Sequence, residues 1–382
     1  MYPVNIPLWR PQAVHAAVVL FFTVAAKGQD PLSGAQPLTM TGDFSAQMVA
    51  GIGRFLEAET RAAPGERAAW WKTDSTSHEA YEKSVAANRE RFARMIGVVD
   101  PRVARPEMEL VATVTVPAKV AETERFTVSA VRWPVLDGVW GEGLWLQPKG
   151  RVIARVVAIP DADQTPEMIS GIAPGRGATS QYARRLAEQG CEVLVPTILD
   201  RADTHSGNAA IGRRTNQPHR EWIYRQSYEM GRHVIGLEVQ KILAAVDWLE
   251  SQKPASGGRT PVGVIGYGEG GLIACMAGAL DPRIEVTAVS GYHVNPRLHD
   301  EPIYRNVWSL TDQFGAGELA GLIAPRGLVW VRGRFPETQY PAKPGQPHNG
   351  AAPGKLGRPD PEVSRQVLAQ AGVWLNGVPG VD

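Results

Sequence analysis

The sequence predicts an α/β fold in which a mostly parallel sheet is flanked by helices and preceded by an N-terminal helical extension. A chain of 382 residues that is 43% hydrophobic can bury one large core. From residue 152 onward, apolar runs of strand length alternate with segments of helical periodicity, which is typical of a parallel sheet covered on both faces. A glycine-rich turn at 266–271 joins one such strand directly to the next helix.

The N-terminal residues 1–28 have the pattern of a signal peptide. One positive charge at Arg10 precedes an apolar run at 13–26 and a polar turn at 27–30. The apolar run is too short to span a bilayer and small residues follow it, so the pattern predicts export to the periplasm or the cell exterior. A helix of the folded protein, interrupted by His15, is the alternative. No other segment has the 18 consecutive apolar residues of a membrane span.

The remaining chain is predicted to form a helical extension at 29–106 and a main domain at 107–382. Before the parallel sheet, the periodicity predicts a helical segment at 42–99 whose second helix covers 78–96, and antiparallel strands at 110–116 and 126–131. The alternating series then predicts strands at 152–159, 193–196, 262–265, 284–289 and 328–331, and helices at 180–189, 221–250, 272–280 and 361–375. Ligands of such sheets bind beyond the carboxyl ends of the strands, so the strand-to-helix loops should hold any site.

Composition excludes several classes of partner and site. With 40 basic and 39 acidic residues the net charge is +1, which argues against binding nucleic acid or an anionic membrane surface. Cys191 and Cys275 both stand in apolar segments and are predicted to be interior thiols. Two cysteines make no disulfide framework, and the spacing of His and Cys gives no metal motif. We therefore expect a small or neutral partner, no metal and no cofactor, with the oligomeric state left open.

The turn at 266–271 has the glycine spacing of a nucleophile elbow, G-x-Ser-x-G. Gly266 and Gly270 fill the two outer positions, where the tight turn needs glycine, so the nucleophile position falls on Gly268. In a competing register Glu269 is the nucleophile and forms an ester intermediate. That register places Tyr267 where the elbow needs a small side chain, so the first register is favoured. A dinucleotide-binding loop is a third interpretation, but such loops follow the first strand of their fold.

The order of elements, with 264–271 and 322–330 as its most specific segments, resembles the α/β-hydrolase superfamily. The resemblance covers about 107–376 and is nearest to the dienelactone hydrolase and acetyl xylan esterase branches. It implies an α/β-hydrolase-type sheet and an ester ligand, either a small molecule or a carbohydrate ester. It also implies an acid after the penultimate strand, at Glu337, and a histidine before the last helix, at His348.

Two loops after strands carry candidate binding residues. Asp161, Asp163 and Gln164 follow the first parallel strand, where hydrolases of this type arrange oxyanion-hole amides. Carboxylates there oppose the negative charge that acyl transfer develops, and an Asx-turn with a helix N-cap is the alternative. The next loop contains Asp200 and Arg201, and the helix that follows it begins near His219 and Arg220. A polar loop that is hydrogen-bonded to itself is the alternative for this second group.

Candidate catalytic residues lie near the glycine turn. Tyr292 and His293 end the strand that follows the turn, so they are expected near Glu269, and His205 lies in the loop that follows Arg201. A carboxylate paired with an imidazole can do acid–base work. The catalytic hypothesis therefore assigns Glu269, His293 and His205 to catalysis.

Three functions are compatible with this sequence. The first is an exported carboxylic-ester hydrolase that acts without serine, with Glu269 as nucleophile or general base assisted by one of the two histidines. The second is a non-catalytic hydrolase-fold protein that binds a small ligand or glycan in the cleft at the strand ends. The third is a structural or interaction domain. The predicted binding residues are Asp161, Asp163, Gln164, Asp200, Arg201, His219, Arg220, Gly268 and Tyr292.

Overall fold

The computed structural model describes residues 33–34, 41–252, 258–331, 333–341 and 349–359, together with 361–362, 364–366, 369 and 372. The predicted signal peptide at 1–28, His348 and the end of the predicted closing helix lie outside these ranges. The chain divides into two units, 1–56 and 57–382. The described part of the first unit is mainly the first half of helix α1 (Phe44–Glu66), and the second unit contains every other element.

A nine-stranded mixed sheet organises the second unit. The strands lie in the order β1-β3-β4-β6-β5-β9-β10-β11, and β2 also pairs with β3. The neighbouring strands β6, β5, β9, β10 and β11 run parallel to one another. The other pairings of this sheet, including that of β4 with β6, are antiparallel. Its strands are β1 (Glu109–Leu110), β2 (Lys119–Glu122), β3 (Phe126–Leu136), β4 (Val139–Pro148), β5 (Ala154–Ile159), β6 (Cys191–Pro196), β9 (Val262–Tyr267), β10 (Ile284–Ser290) and β11 (Gly327–Val331). Two small hairpins pair β7 (Gly207–Asn208) with β8 (Arg213–Arg214) and β12 (Thr338–Tyr340) with β13 (Gly354–Leu356).

Helices cover both faces of the sheet, which confirms the predicted fold class. The α-helices that begin and end within the described ranges are α1 (Phe44–Glu66), α2 (His78–Met95), α3 (Pro166–Ser170), α4 (Tyr182–Glu188), α5 (His219–Glu229), α6 (Val234–Ser251), α7 (Glu269–Leu280), α8 (Leu310–Gln313) and α9 (Ala316–Ile323), and α1 is exposed along most of its length. The described residues between 361 and 372 are helical as well. Within the described ranges, no helix is both long and apolar enough to cross a membrane.

Two apolar clusters form the core. The larger packs α2, α6, α7 and α9 on one face of the sheet, and the smaller packs α4 on the other. Helix α7 is buried from Glu269 to Ala279 and is apolar on all sides, as expected for a helix enclosed by its neighbours. Cys191 and Cys275 are free and buried, as predicted.

Two predicted elements differ from the structure. The single helix expected at 221–250 is two helices, because Gly231 adopts a left-handed φ of +66° and the His233 imidazole then caps α6 by accepting from the backbone N–H of Ile235. The strand expected at 110–116 is wrong beyond Leu110. A local turn there satisfies the backbone, in which the Thr113 N–H donates to the Val116 carbonyl.

Candidate active site

The turn between β9 and α7 is sharp and depends on glycine. Gly268 has φ 61° and ψ −119°, a backbone conformation that L side chains rarely adopt. A Cβ at Gly266 would lie 1.9 Å from the Gly270 carbonyl oxygen, and a Cβ at Gly270 would lie 2.2 Å from the Ile159 carbonyl oxygen. The turn therefore needs glycine at all three positions, and Gly268 stands at its apex.

The space above Gly268 is filled by protein. A Cβ built on Gly268 would lie 2.1 Å from Asp161 Oδ1 and 2.6 Å from Pro336 Cγ. The same Asp161 oxygen accepts a hydrogen bond of 2.8 Å from the backbone N–H of Glu269, the first residue of α7. A carboxylate is favourable at this helix N-terminus, where unpaired amides and the helix dipole present positive charge.

Arg201 holds the Asp161 carboxylate in place. Its two terminal nitrogens donate to Asp161 Oδ2 at 2.9 Å and to Oδ1 at 3.2 Å, and the first also donates to Asp163 at 2.7 Å. Gln164 accepts from the Asp161 backbone N–H at 3.3 Å. Burial by itself would raise the pKa of Asp161, but the attraction of the Arg201 guanidinium outweighs it and the net pKa is lowered. The carboxylate is therefore ionised and fixed.

Glu269 is completely buried and bound by three guanidinium groups. Arg305 Nε donates to Glu269 Oε1 at 2.9 Å, Arg201 donates to the same oxygen at 3.2 Å, and Arg220 lies 3.5 Å from Oε2. Burial would raise the pKa of Glu269, but the positive charges of Arg305, Arg220 and Arg201 outweigh it, so the net pKa is lowered. A carboxylate in this state has neither the exposure of a nucleophile nor the raised pKa of a catalytic acid.

These groups belong to a larger set that we call the buried ion-pair cluster: Asp161, Arg201, Arg220, Glu238, Glu269, Glu301 and Arg305. Its outer pairs join Arg305 to Glu301 at 3.1 Å and Arg220 to Glu238 at 3.7 Å. Each member is no more than about 5% exposed. Buried charges persist when they are paired in this way, so the geometry suits a fixed scaffold at the carboxyl edge of the sheet.

The predicted histidines of the second loop bind each other and not Glu269. His219 Nδ1 lies 2.6 Å from Asp200 Oδ1, and His219 Nε2 accepts from the backbone N–H of His205 at 2.8 Å. The two imidazole rings are stacked, with centroids 5.3 Å apart. Both nitrogens of His219 are therefore engaged in ordering the loop, while His205 is exposed beside it.

Tyr292 and His293 lie on the other side of the cluster. The buried Tyr292 ring lies 5.7 Å from the Arg305 guanidinium, and the His293 ring packs edge-on against Phe335 with centroids 5.7 Å apart. Burial, and then the positive charge of Arg305, lower the pKa of His293 to about 4. The imidazole is therefore neutral at pH 7.

His293 also lines an open cleft of about 520 Å³ at the carboxyl ends of β10 and β11. The lining residues are Tyr292, His293, Trp330, Val331, Gly333, Arg334, Phe335, Arg358, Pro359, Pro361, Ser364 and Arg365. Between this cleft and Arg305 remains a void of only about 10 Å³, which Phe335 and Pro336 close. Phe335 lines both spaces, and its neighbour Pro336 packs against Gly268.

A second cavity, of about 740 Å³, lies at the opposite edge of the sheet. Its Arg102 and Arg283 are both paired with Asp247, at 2.8 Å and 2.5 Å. Since ligands of parallel sheets bind at the carboxyl edge, the first cleft is the better candidate. Within the described part of the chain, no three His, Cys, Asp or Glu side chains are grouped to hold a metal ion.

The structure brings together most of the predicted residues around the glycine turn. Asp161, Asp163, Gln164, Arg201, Arg220, Gly268 and Glu269 form one contiguous group. Asp200, His205 and His219 form a neighbouring loop, and Tyr292 and His293 form a wall of the cleft. Among the described residues, neither His205 nor His293 forms a hydrogen bond or ion pair with Glu269. Glu337 is exposed.

Sequence reasoning missed Arg305, Glu301 and Pro336. It also missed Arg334 and Arg358, which line the cleft. Glu301 and Arg305 stand four residues apart directly after the β10 loop, a spacing that favours an ion pair and was a usable signal. Pro336 carries no chemical signal of its own, because its role is to occupy space above a residue 68 positions earlier in the chain.

Comparison with known proteins agrees with this architecture. Residues 156–307 match the model of the dienelactone hydrolase family. YtaP of Bacillus subtilis (strain 168), whose name describes it as a hydrolase, is 32% identical over 123 residues, which are 30% of this chain and 40% of that protein. The match thus spans two fifths of that relative's length.

Two solved structures align with most of this chain. One is described as an acetyl xylan esterase from Bacteroides fragilis NCTC 9343; it aligns with a TM-score of 0.52 at 13% identity over 79% of this chain and 73% of its own. A glucuronoyl esterase from Solibacter usitatus aligns with a TM-score of 0.48 at 15% identity over 80% of this chain and 82% of its own. Residues 156–307 are therefore similar to the dienelactone hydrolase family, and the chain has the α/β-hydrolase fold.

Proposed function

We propose that this protein is a non-catalytic member of the hydrolase fold that binds a small ligand in the cleft at the carboxyl edge of β10 and β11. The observation that carries the proposal is the Asp161 carboxylate, which accepts the Glu269 backbone N–H directly above Gly268. In a serine hydrolase this amide is an oxyanion donor, and the residue at the apex is the nucleophile. Here glycine takes the place of the nucleophile, and the protein's own carboxylate takes the place of the oxyanion.

The same geometry argues against Glu269 as a replacement nucleophile. To attack an ester, Glu269 would have to leave Arg305, Arg201 and Arg220 and move out of its completely buried position. Removing one partner from a buried ion pair costs about 3–5 kcal/mol. Such a step would add to the reaction barrier, so the binding hypothesis is favoured over the esterase hypothesis.

The cleft supports the binding half of the proposal. Its volume of about 520 Å³ lies within the range of small-molecule sites, and aromatic side chains with a few polar groups line it. The likeness to a protein described as an acetyl xylan esterase makes a small ester, a carbohydrate ester or the acid released from one a reasonable ligand class.

A direct test uses the purified chain with a fluorophosphonate probe and with a panel of acetyl and methyl esters followed by acid release. We expect no covalent labelling and no release above the buffer rate. Glu269→Gln and Glu337→Gln form a matched pair, since the first removes a buried carboxylate and the second an exposed one. Labelling at any serine, or turnover that Glu269→Gln abolishes while Glu337→Gln retains it, would contradict the non-catalytic proposal.

We also propose that the protein is exported and that residues 1–28 are removed. The support is the sequence of charge, apolar run and small residues described above. Mass spectrometry of the N-terminal peptide from a cell fraction outside the cytoplasm should find a chain that begins near residue 29. Recovery of the chain from the cytoplasm alone, with Met1 intact, would contradict it.

A further inference from the structure

We propose that the cleft binds a ligand that combines a planar apolar ring with a carboxylate group. This inference rests on the proposed function, because it takes the cleft as the ligand site and names the chemistry of the ligand. It is carried by the charge of the cleft and by the aromatic surfaces beside that charge.

The cleft contains positive charge that no described carboxylate pairs with. Arg334 and Arg358 line it, and within the described ranges neither forms an ion pair or a side-chain hydrogen bond. A third arginine, Arg365, is paired with Glu362 at 2.6 Å. Among the described residues that line the cleft, none is an aspartate or a glutamate. The contrast is with the buried ion-pair cluster, where each of three guanidinium groups has a carboxylate within 3.7 Å.

Two guanidinium groups facing one cavity select for a carboxylate. A guanidinium presents parallel N–H donors that match the two oxygens of a carboxylate, and it keeps its charge at all ordinary pH values. The neighbouring His293 does not add to this charge, since its pKa of about 4 leaves it neutral at pH 7. Arg334 and Arg358 are therefore the groups expected to recognise the anion.

The apolar part of the ligand is indicated by fixed aromatic side chains. The Trp330 indole N–H donates to the Tyr292 carbonyl at 2.9 Å, which holds the indole against the cleft. Phe335 is held edge-on by His293 on the same cavity. Rigid aromatic walls favour stacking with a flat ring, and a volume of about 520 Å³ accommodates one or two rings.

The test measures binding of three naphthalene compounds to the full chain by isothermal titration calorimetry and by tryptophan fluorescence. They are 2-naphthoate, the neutral 2-naphthylmethanol and the cationic 2-naphthylmethylammonium, which share the ring and differ in charge. We expect 2-naphthoate to bind, and the other two to bind about tenfold more weakly or not at all. Added salt should weaken the binding of 2-naphthoate, because the arginines are exposed.

Variants then connect this preference to the two arginines. Arg334→Gln and Arg358→Gln should each weaken the binding of 2-naphthoate about threefold to tenfold, while the binding of 2-naphthylmethanol stays unchanged. Arg151→Gln is the matched control: Arg151 is an exposed arginine just before β5, at the opposite edge of the sheet, and its loss should change nothing. Because all three side chains are exposed, the variants should keep the wild-type melting temperature.

Two results would overturn the inference in distinguishable ways. If 2-naphthylmethanol binds as tightly as 2-naphthoate, or if both arginine variants bind 2-naphthoate like wild type, the preference for a carboxylate is wrong while the cleft remains a ligand site. If none of the three compounds binds at millimolar concentration, both this inference and the ligand-binding part of the proposed function fail.

Discussion

At the scale of single residues, Gly268 combines two constraints that usually occur separately. Its φ of 61° with ψ of −119° is unfavourable for any side chain, and its missing Cβ leaves room for Asp161 Oδ1 and Pro336. The first constraint is one that a nucleophile elbow imposes on any residue at its apex. The second depends on the neighbours of Gly268, so a serine placed here would not by itself create a nucleophile.

Gly268→Ala should destabilise the protein by about 3 kcal/mol or more, because backbone strain and overlap with Asp161 add together. Gly212→Ala is the control, since Gly212 has a similar φ of 64° but no atom within 4 Å of the added Cβ. We expect about 1 kcal/mol there. Urea unfolding of both variants measures the difference. Equal losses would show that the space above Gly268 is not filled as described.

Gly268→Ser should in addition show no labelling by a fluorophosphonate. The new hydroxyl would meet the Asp161 carboxylate, and among the described residues no histidine forms a hydrogen bond or ion pair with Glu269. Residue types alone therefore do not decide whether the turn is reactive. The neighbours above the turn decide it.

At the scale of elements, close backbone contacts determine how the helices meet. The first turn of α6 packs against the residues that end α2: a Cβ at Gly236 would lie 2.2 Å from the Ile96 carbonyl oxygen, and a Cβ at Gly97 would lie 2.4 Å from the His233 backbone nitrogen. Glycine on both sides lets the two backbones approach. This contact follows the break at Gly231, so the same break that divides the predicted long helix also places α6 on α2.

Gly236→Ala should accordingly cost about 3 kcal/mol of unfolding free energy, although alanine favours helix more than glycine does. Gly65→Ala, in the exposed last turn of α1 with no neighbour within 4 Å, provides the control and should be neutral or stabilising by up to about 1 kcal/mol. Thermal or urea unfolding distinguishes the two. A neutral Gly236→Ala would mean that α6 can move away from α2 at little cost.

The sequence predicted the strands of the parallel sheet to within two residues at each end, because their apolar runs are short and bounded by polar turns. It predicted the helix at 221–250 as one element because the apolar periodicity continues across the break. Only the positive φ of Gly231 separates the halves, and periodicity carries no information about φ.

At the scale of the whole molecule, the buried ion-pair cluster joins several elements at the carboxyl edge of the sheet. Asp161 follows β5, Arg201 follows β6, Arg220 lies in α5, Glu269 begins α7, and Arg305 lies in the segment between β10 and α8. In a catalytic hydrolase this edge holds reactive groups that must stay accessible. In this protein paired charges fill it, so its fold should depend on pH.

The directions in which the pKa values are shifted determine how the stability of the fold depends on pH. The pKa values of Asp161 and Glu269 are lower in the folded state than their ordinary values of about 4. Their contribution to stability is therefore complete above about pH 4 and is lost as the pH falls through the lower folded values. Burial lowers the pKa values of His233 and His293 to about 4, so the unfolded chain takes up their protons more readily than the folded one. For these two residues the stability of the fold therefore decreases as the pH falls from about 6.5 toward 4.

Asp161→Asn should lower stability at pH 7 by about 3 kcal/mol, because Arg201 loses a buried partner. It should also flatten the fall in stability below pH 4 and leave the change between pH 6.5 and 4 unaltered. Melting temperatures across pH 2–8 test this expectation. Asp300→Asn, which removes an exposed carboxylate paired with Arg297, should follow wild type throughout. A variant profile parallel to wild type below pH 4 would contradict the assignment of Asp161.

The sequence by itself determined the α/β alternation and the position of the glycine turn, and it favoured Gly268 over Glu269 at the apex. These are local properties, since hydrophobic periodicity and the glycine spacing at 266, 268 and 270 can be read within a few residues. Only the tertiary structure decided what surrounds that apex. Asp161 reaches the Glu269 amide across 108 positions of sequence, and Arg305 reaches its side chain across 36. Such contacts depend on how the sheet and helices pack, and that packing closes the site above Gly268.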